Sequence, residues 1–196
     1  LGTVIFGGLA AYAISRLKPP GSGAIFKIMV WTMMLPMSAL MVPTFMQWID
    51  FPIFGWNLMN TWWPFFISGI CAIYYVLLMK KFFDGIPLSY IESAKIDGCS
   101  EIGIFFKIIM PLSKPILATV TVFTFNASWN NFLQPYLLIK EKSMQPLAVT
   151  VYTMTKNWSE PDQLIAAFLV TIPAIIVFLF CSKLVLGTNL NVGVKE

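Results

Sequence analysis

No histidine occurs in this 196-residue chain, and charged residues make up only 11% of it. The missing imidazole removes the commonest general base, a major metal ligand and every serine-type triad. The scarcity of charge excludes more. Soluble domains carry roughly 25% charged and about 45–50% apolar residues, whereas 58% are hydrophobic here and mean hydropathy is +0.77. A chain of this size keeps a large outer surface when folded, so its own core cannot absorb the excess, and lipid must solvate much of it. Cysteine is also sparse: Cys71, Cys99 and Cys181 lie far apart with no CxxC spacing. Neither a disulfide nor a metal site is expected, and Cys71 and Cys181 sit in apolar stretches where a thiol acts as a small hydrophobe. No GxxxxGK[ST] loop is present, which removes that route to nucleotide phosphates. The net charge of +4 comes without the basic stripe and interleaved aromatics of a nucleic-acid surface, so no nucleic-acid partner is expected.

What is present is a series of apolar runs. A helix needs about 20 such residues to cross a bilayer. Four runs qualify: Ile25–Met46, Trp62–Met79, Ile116–Ile139 and Leu164–Leu186. Leu1–Ile14 reads as the second half of a fifth, so a preceding segment is expected. The fold class is therefore all-α: a polytopic transmembrane helical bundle with five visible membrane segments, the first truncated. Kinks are expected at Pro36, Pro43 or Pro173, since neighbouring helices can satisfy freed carbonyls. Met29, Met33, Met34, Met37 and Met41 read as adaptable packing.

Basic residues in short loops set orientation. With Arg16, Lys18 and Lys27 inside, the inside loops and helix ends also hold Lys80, Lys81, Lys95, Lys107, Lys114, Lys183 and Lys195, against Lys140, Lys142 and Lys156 outside. The bias predicts a multi-pass protein with a cytoplasmic C-terminus. Trp48, Trp56, Trp62 and Trp63 then fall at the outer interface, where an aromatic belt anchors to lipid.

Residues 84–114 differ from their surroundings. Asp84, Glu92, Lys95, Asp97, Glu101, Lys107 and Lys114 alternate there with apolar residues. About 30 residues is long for a loop without structure. Ser89-Tyr90-Ile91-Glu92 reads as a capping box, and Asp97-Gly98 as a turn. Two short helices joined at Gly98 are expected, the second over Glu101–Ile109 before Pro111. Their apolar faces are Ile91 and Ala94, and Ile102, Phe105, Phe106 and Ile109. By period and charge alone, an amphipathic pair lying on lipid fits as well as a docking element.

These residues resemble a family. Glu92-Ser93-Ala94, three residues, Gly98, nine residues and Ile108-Ile109-Met110-Pro111 is similar to the EAA loop of ABC-importer permeases. That pattern runs Glu-Ala-Ala, three residues, Gly, nine residues, Ile-x-Leu-Pro. Ser93 stands for an alanine and Met110 for a leucine, with the spacing intact. The run Tyr12 to Arg16, Pro36, Pro43, Pro111-Leu112-Ser113-Lys114-Pro115, Trp129-Asn130 and the ending Gly187 to Lys195 resemble the sugar-importer branch. The likeness is greatest to the second permease subunit of maltose-type importers, and it covers nearly the whole chain.

The resemblance implies a type I ABC importer permease in the bacterial cytoplasmic (inner) membrane. Residues 1–187 would form the permease domain, with an EAA loop at 84–114 and a cytoplasmic tail at 188–196. Glu92, Ser93, Ala94, Asp97, Gly98, Ile108 and Pro111 match the motif, whose amphipathic cytoplasmic coupling helices, between the third and fourth membrane segments, dock on an ATPase. Glu92 also fits a simpler role as cap partner of Ser89. The implied partners are a cytoplasmic ABC ATPase dimer, a second permease subunit of different sequence, an extracytoplasmic solute-binding protein facing Lys140–Gln163, and the bilayer. The tail is a second implied contact with the ATPase. The chain itself is expected to be no enzyme and to bind no cofactor, with ATP and Mg on the partner.

Within Ile116–Ile139, Asn126, Ser128, Asn130, Asn131 and Gln134 are polar, which is unfavourable in lipid unless they face protein or water. Thr119, Phe123, Asn126, Asn130 and Gln134 recur at helical spacing and share a face. They fit a path for a polyhydroxylated solute, with Trp129 or Phe123 stacking on a sugar ring. They fit equally a set of interhelical amide bonds. The competing function is a secondary transporter or channel subunit driven by an ion gradient. That class places acids or histidines mid-membrane, whereas all nine acids here fall in loops or the tail.

Overall fold

Where water is absent, a backbone satisfies its polar groups internally, and the helix does so within one segment. The computed structural model describes residues 1–70, 72–155 and 158–186; Cys71, Lys156 and the expected tail at 188–196 lie outside them. The described chain is mostly helical, and among the described residues the only extended pairing is an isolated bridge between Phe51 and Trp56. Helix α1 (Gly2–Tyr12) runs on as a π-helical turn, Ala13–Leu17. Next come α2 (Ser22–Thr32) and α3 (Met37–Ile49). Helices α4 (Trp63–Ile70) and α5 (Ile73–Asp84) follow, then α6 (Leu88–Ile96). The next stretch combines α7 (Glu101–Ile104), a π turn (Phe105–Ile109) and α8 (Met110–Leu112). Helices α9 (Lys114–Trp129), α10 (Leu133–Leu138), α11 (Leu147–Thr155) and α12 (Glu160–Leu186) complete it.

By length and composition, Trp63–Asp84 and Glu160–Lys183 are able to cross a membrane, and Glu101–Leu112 with Lys114–Trp129 is a third candidate bent by 82°. Three expected boundaries change. Pro36 separates α2 from α3 rather than kinking one helix: it is the extended N-cap of α3, and a proline disfavours helical backbone in the residue before it. Pro43 and Pro173, by contrast, lie inside continuous helices. Pro111 does not end the second short helix, which continues to Leu112. The sharp bend falls one step later, at Ser113, because Pro115 has no N–H and its ring crowds the carbonyl four residues back. The run Ile116–Ile139 is two helices, since Asn130 and Asn131 fall between α9 and α10.

The chain divides into two units. The first comprises Leu1–Leu35, Ser68–Thr121 and α12 from Cys181. Its core joins Ala11 and Tyr12 of α1 to Val76, Met79 and Phe83 of α5, with Ile91, Ala94, Ile104, Phe105 and Ile109 of the 84–114 segment. Gly7 and Gly8 permit this approach: a Cβ on Gly7 would lie 3.2 Å from Met79, and one on Gly8 3.3 Å from Phe105. Thr3 donates to the Gly69 carbonyl at 2.5 Å, next to the break before α5. The second unit comprises Pro36–Ile67 and Val122–Phe180. Its core is Trp48, Leu58 and Leu138, ringed by Phe45, Phe51, Met59 and Phe65. Trp48 is thus a core residue, not an interfacial anchor; it is buried and stacks on Phe51. Trp56, Trp62 and Trp63 are exposed, as an anchoring role requires.

Met79 is fully buried where α1 crosses α5. Met79→Ala is expected to cost about 2–5 kcal/mol, read as a lowered thermal unfolding midpoint in detergent. Phe180, at 81% exposure, is expected to tolerate alanine within about 0.5 kcal/mol.

Candidate functional site

Helix α6 begins directly after Pro87, its N-cap, and no side chain caps it. Ser89 is already inside the helix, so the expected capping box with Glu92 does not form. Its backbone is helical, and the hydroxyl is misplaced for the first free N–H groups. Glu92 is exposed and makes no hydrogen bond or ion pair among the described residues. The real cap lies one helix later: Ser100 Oγ accepts from the Gly103 N–H at 3.2 Å. Between the two helices the chain closes a Schellman turn. Cys99 N–H donates to the Ala94 carbonyl at 2.9 Å and Gly98 N–H to that of Lys95 at 3.0 Å. Gly98 has φ +75°, a conformation that costs other residues about 1–2 kcal/mol, and this explains a glycine there.

The segment has two faces. Ile91, Ala94, Ile104, Phe105 and Ile109 are buried, and Ile108 is half-buried against them. Ile102 and Phe106, expected on that face, are 67% and 47% exposed; Ile104 takes their place. The π turn at Phe105–Ile109 shifts the helical phase by one residue, which a regular 3.6 period does not anticipate. On the other face Glu92, Ser93, Asp97, Gly98 and Pro111 are exposed, beside the exposed apolar side chains of Tyr90, Ile96 and Ile102. The matched motif is therefore split: Ala94 and Ile108 pack inward while the rest faces out.

Charged groups tie the segment together. Lys95 pairs with Glu101 at 2.6 Å across the Gly98 turn. Glu101 also accepts from the Tyr12 hydroxyl at 3.0 Å. The Lys95 hydrogen bond holds the Glu101 carboxyl below its ordinary range despite partial desolvation. Its stabilising contribution is thus complete above the unfolded carboxylate range and is lost as pH falls through the lowered folded value. At the other end Asp84 accepts from Ser15 at 2.6 Å and from Lys80 at 2.7 Å. The Arg16 guanidinium donates to the carbonyls of Phe83 and Ile86. The run Tyr12 to Arg16 stood out in the sequence only as part of a likeness. A hydroxyl, a second hydroxyl and a guanidinium at the end of an apolar helix were the available signal.

The expected lining residues of the fourth apolar run do not all lie on one helix. Thr119, Phe123 and Asn126 lie on α9, Asn130 follows it, and Gln134 is on α10. Thr119 bonds back to the Pro115 carbonyl at 2.9 Å. Phe123 and Asn126 are exposed, and Asn130 donates to Asn126 at 2.6 Å. Trp129 is a strut: its Nε1 donates to the Val170 carbonyl at 2.8 Å and its ring stacks on Phe125. Gln134 lines a cavity of about 300 Å³ with Ser38, Thr44 and Trp48. Ser38 and Thr44 were hidden inside a run that reads as simply apolar.

The family model described as "Binding-protein-dependent transport system inner membrane component" matches residues 3–188. AraQ, an arabinooligosaccharides transport system permease protein of Halalkalibacterium halodurans, is 31% identical over 195 residues, 98% of this chain and 68% of that one. YtcP, a polygalacturonan/rhamnogalacturonan transport system permease protein of Bacillus subtilis, is 30% identical over 198 residues, 92% of this chain and 67% of that one. A chain in the crystal structure of a bacterial ABC transporter involved in the import of the acidic polysaccharide alginate superposes with a TM-score of 0.75 at 26% identity. That match covers 92% of this chain and 70% of that chain.

Open space surrounds Gly98, so Gly98→Ala is expected to cost only its backbone strain, about 1–2 kcal/mol. Ser100→Ala is expected to cost about 1 kcal/mol through the lost cap. Amide hydrogen exchange should accelerate at residues 96–104 in both variants, with the α1–α5 amides unchanged.

Proposed function

Since this chain belongs to the family of binding-protein-dependent transport system inner membrane components, we propose that it forms the translocation path for a carbohydrate and that its 84–114 segment couples the path to a partner ATPase. The chain is an ABC-importer permease; the substrate class, the docking site and the orientation are the proposal. The observation that carries it is the two-faced segment. One face is fixed in the core of the first unit. The other presents an unpaired Glu92, Asp97 at a sharp turn, and exposed Tyr90, Ile96 and Ile102. Exposed aromatic and aliphatic side chains beside a free carboxylate suit a protein partner.

The rest of the arrangement follows from this. In this reading the chain contributes five membrane segments, with α2 and α3 together forming one, and the 84–114 segment lies in the cytoplasm. The excess of Lys and Arg on that side supports the orientation. ATP and Mg are bound by the ATPase dimer. A second permease chain completes the path, and an extracytoplasmic binding protein delivers solute to the 140–163 side. The arabinooligosaccharide and polygalacturonan/rhamnogalacturonan permeases and the alginate importer point to oligosaccharides or polysaccharide fragments, while other relatives are named for sn-glycerol-3-phosphate. Ser38, Thr44 and the amide N–H groups of Gln134, whose Oε1 accepts from Asn131 at 3.0 Å, offer hydrogen-bonding groups beside Trp48 for such a solute, and Asn126 and Asn130 spend one bond on each other.

The complex reconstituted in liposomes with its ATPase, second permease and binding protein is expected to hydrolyse ATP in a vanadate-sensitive way. Binding protein loaded with one member of an oligosaccharide panel should stimulate that hydrolysis. Uptake that survives ATP depletion but collapses with the proton gradient would overturn the reading. Because Glu92 has no cap to maintain, Glu92→Gln and Glu92→Ala are expected to impair import alike. Each should lose on the order of tenfold in ATPase affinity, the worth of one charge-assisted hydrogen bond.

A further inference from the structure

We propose that the end of α1, through Tyr12, Ser15 and Arg16, is the strut that carries movement of the 84–114 segment into the membrane helices. The proposal rests on the coupling role proposed above and assigns positioning residues to it that lie outside the matched motif. Residues 12, 15 and 16 fall within one turn at the end of α1. Tyr12 and Ser15 are 3% and 2% exposed. Their partners bracket α6 on both sides. Ser15 holds Asp84, and Arg16 holds the Phe83 and Ile86 carbonyls, all before α6. Tyr12 holds Glu101 after it. Helix α6 therefore cannot shift relative to α1 without breaking a hydrogen bond at one end or the other.

The backbone is adapted to this contact on both sides. The π turn at Ala13–Leu17, closed by Lys18 N–H on the Ala13 carbonyl at 2.9 Å, adds a residue to the last turn of the helix and re-aims the side chains that follow. The facing π turn begins at Phe105, whose ring lies 5.6 Å from that of Tyr12. Such turns recur at functional sites. The hydroxyls also carry no unique structural burden. Without Ser15, Asp84 keeps Lys80; without Tyr12, Glu101 keeps Lys95. Removing either hydroxyl leaves no stranded charge, so the fold is expected to survive while the link is lost.

Tyr12→Phe and Ser15→Ala test this in the complete transporter in liposomes, read as solute imported per ATP hydrolysed. The ratio is expected to fall about fivefold or more, the lower end of typical site-to-site coupling, with wild-type recovery of assembled complex. Glu101→Gln keeps an acceptor for the Tyr12 hydroxyl and loses only an exposed ion pair, which is worth little. It should retain most of the ratio that Tyr12→Phe loses. An unchanged ratio in Tyr12→Phe, in Ser15→Ala and in their combination would overturn the strut. So would reduced assembly with a normal ratio in the complex that does assemble, since that is a folding role alone. A wild-type complex whose hydrolysis ignores loaded binding protein would instead sink the coupling reading on which the strut depends.

Discussion

Where α5 ends, the chain turns beside an apolar core. Arg16 donates there to two carbonyls, that of Phe83, which also accepts from the Ile86 N–H at 3.1 Å, and that of Ile86 just past the helix. A buried carbonyl without a donor costs free energy comparable to a lost hydrogen bond, and a cation at a helix C-terminus is favourable as well. That one side chain, with the backbone bonds of Gly85 and Ile86, ties down the end of α5, and α6 starts three residues beyond Gly85. The remaining contacts of the first unit are arranged around this stop. Gly7 and Gly8 bring α1 close enough for Arg16 to reach, and Phe83, Phe105 and Ile109 fill the space beneath.

The composition has a physical counterpart in the exposed surface. Leu164, Phe168, Leu179 and Phe180 on α12 are each more than 60% exposed, and the 18-residue window of that helix is only 6% buried. In water this would be a large unfavourable patch; for an inner membrane component it is surface suited to lipid. Polar side chains survive in this setting by bonding locally. Thr119, Thr121 and Thr155 each donate to a carbonyl four residues back, and Asn60, at φ +53°, accepts from the N–H groups of Lys140 and Glu141.

Much of this was legible in one dimension. Long apolar runs point to the helical class because lipid admits few alternatives, and the spaced match from Glu92 to Pro111 marks the segment to which the coupling role is assigned in the proposal. Turn chemistry was legible at Gly98, where a left-handed residue is needed. Capping was not: Ser89 and Ser100 are both serines ahead of apolar stretches. Which one caps depends on where the chain leaves α5, a turn braced by Arg16 some 70 residues away in sequence. Ile102 and Phe106 were misplaced because a π turn resets the helical phase without any marker in residue type. Trp48 was taken for an interfacial residue because an aromatic near an apolar boundary has the same local sequence whether lipid or Leu138 lies against it.

The sequence by itself therefore determined the solvent, the helical class, the family and the stretch that carries the motif, since all of these depend on composition and on spacing along one strand of chain. Tertiary structure decided which face of that stretch is free, which serine caps, and that Tyr12, Ser15 and Arg16 hold it. These depend on hydrogen bonds between residues 67 to 89 positions apart, and no local pattern encodes such a partner.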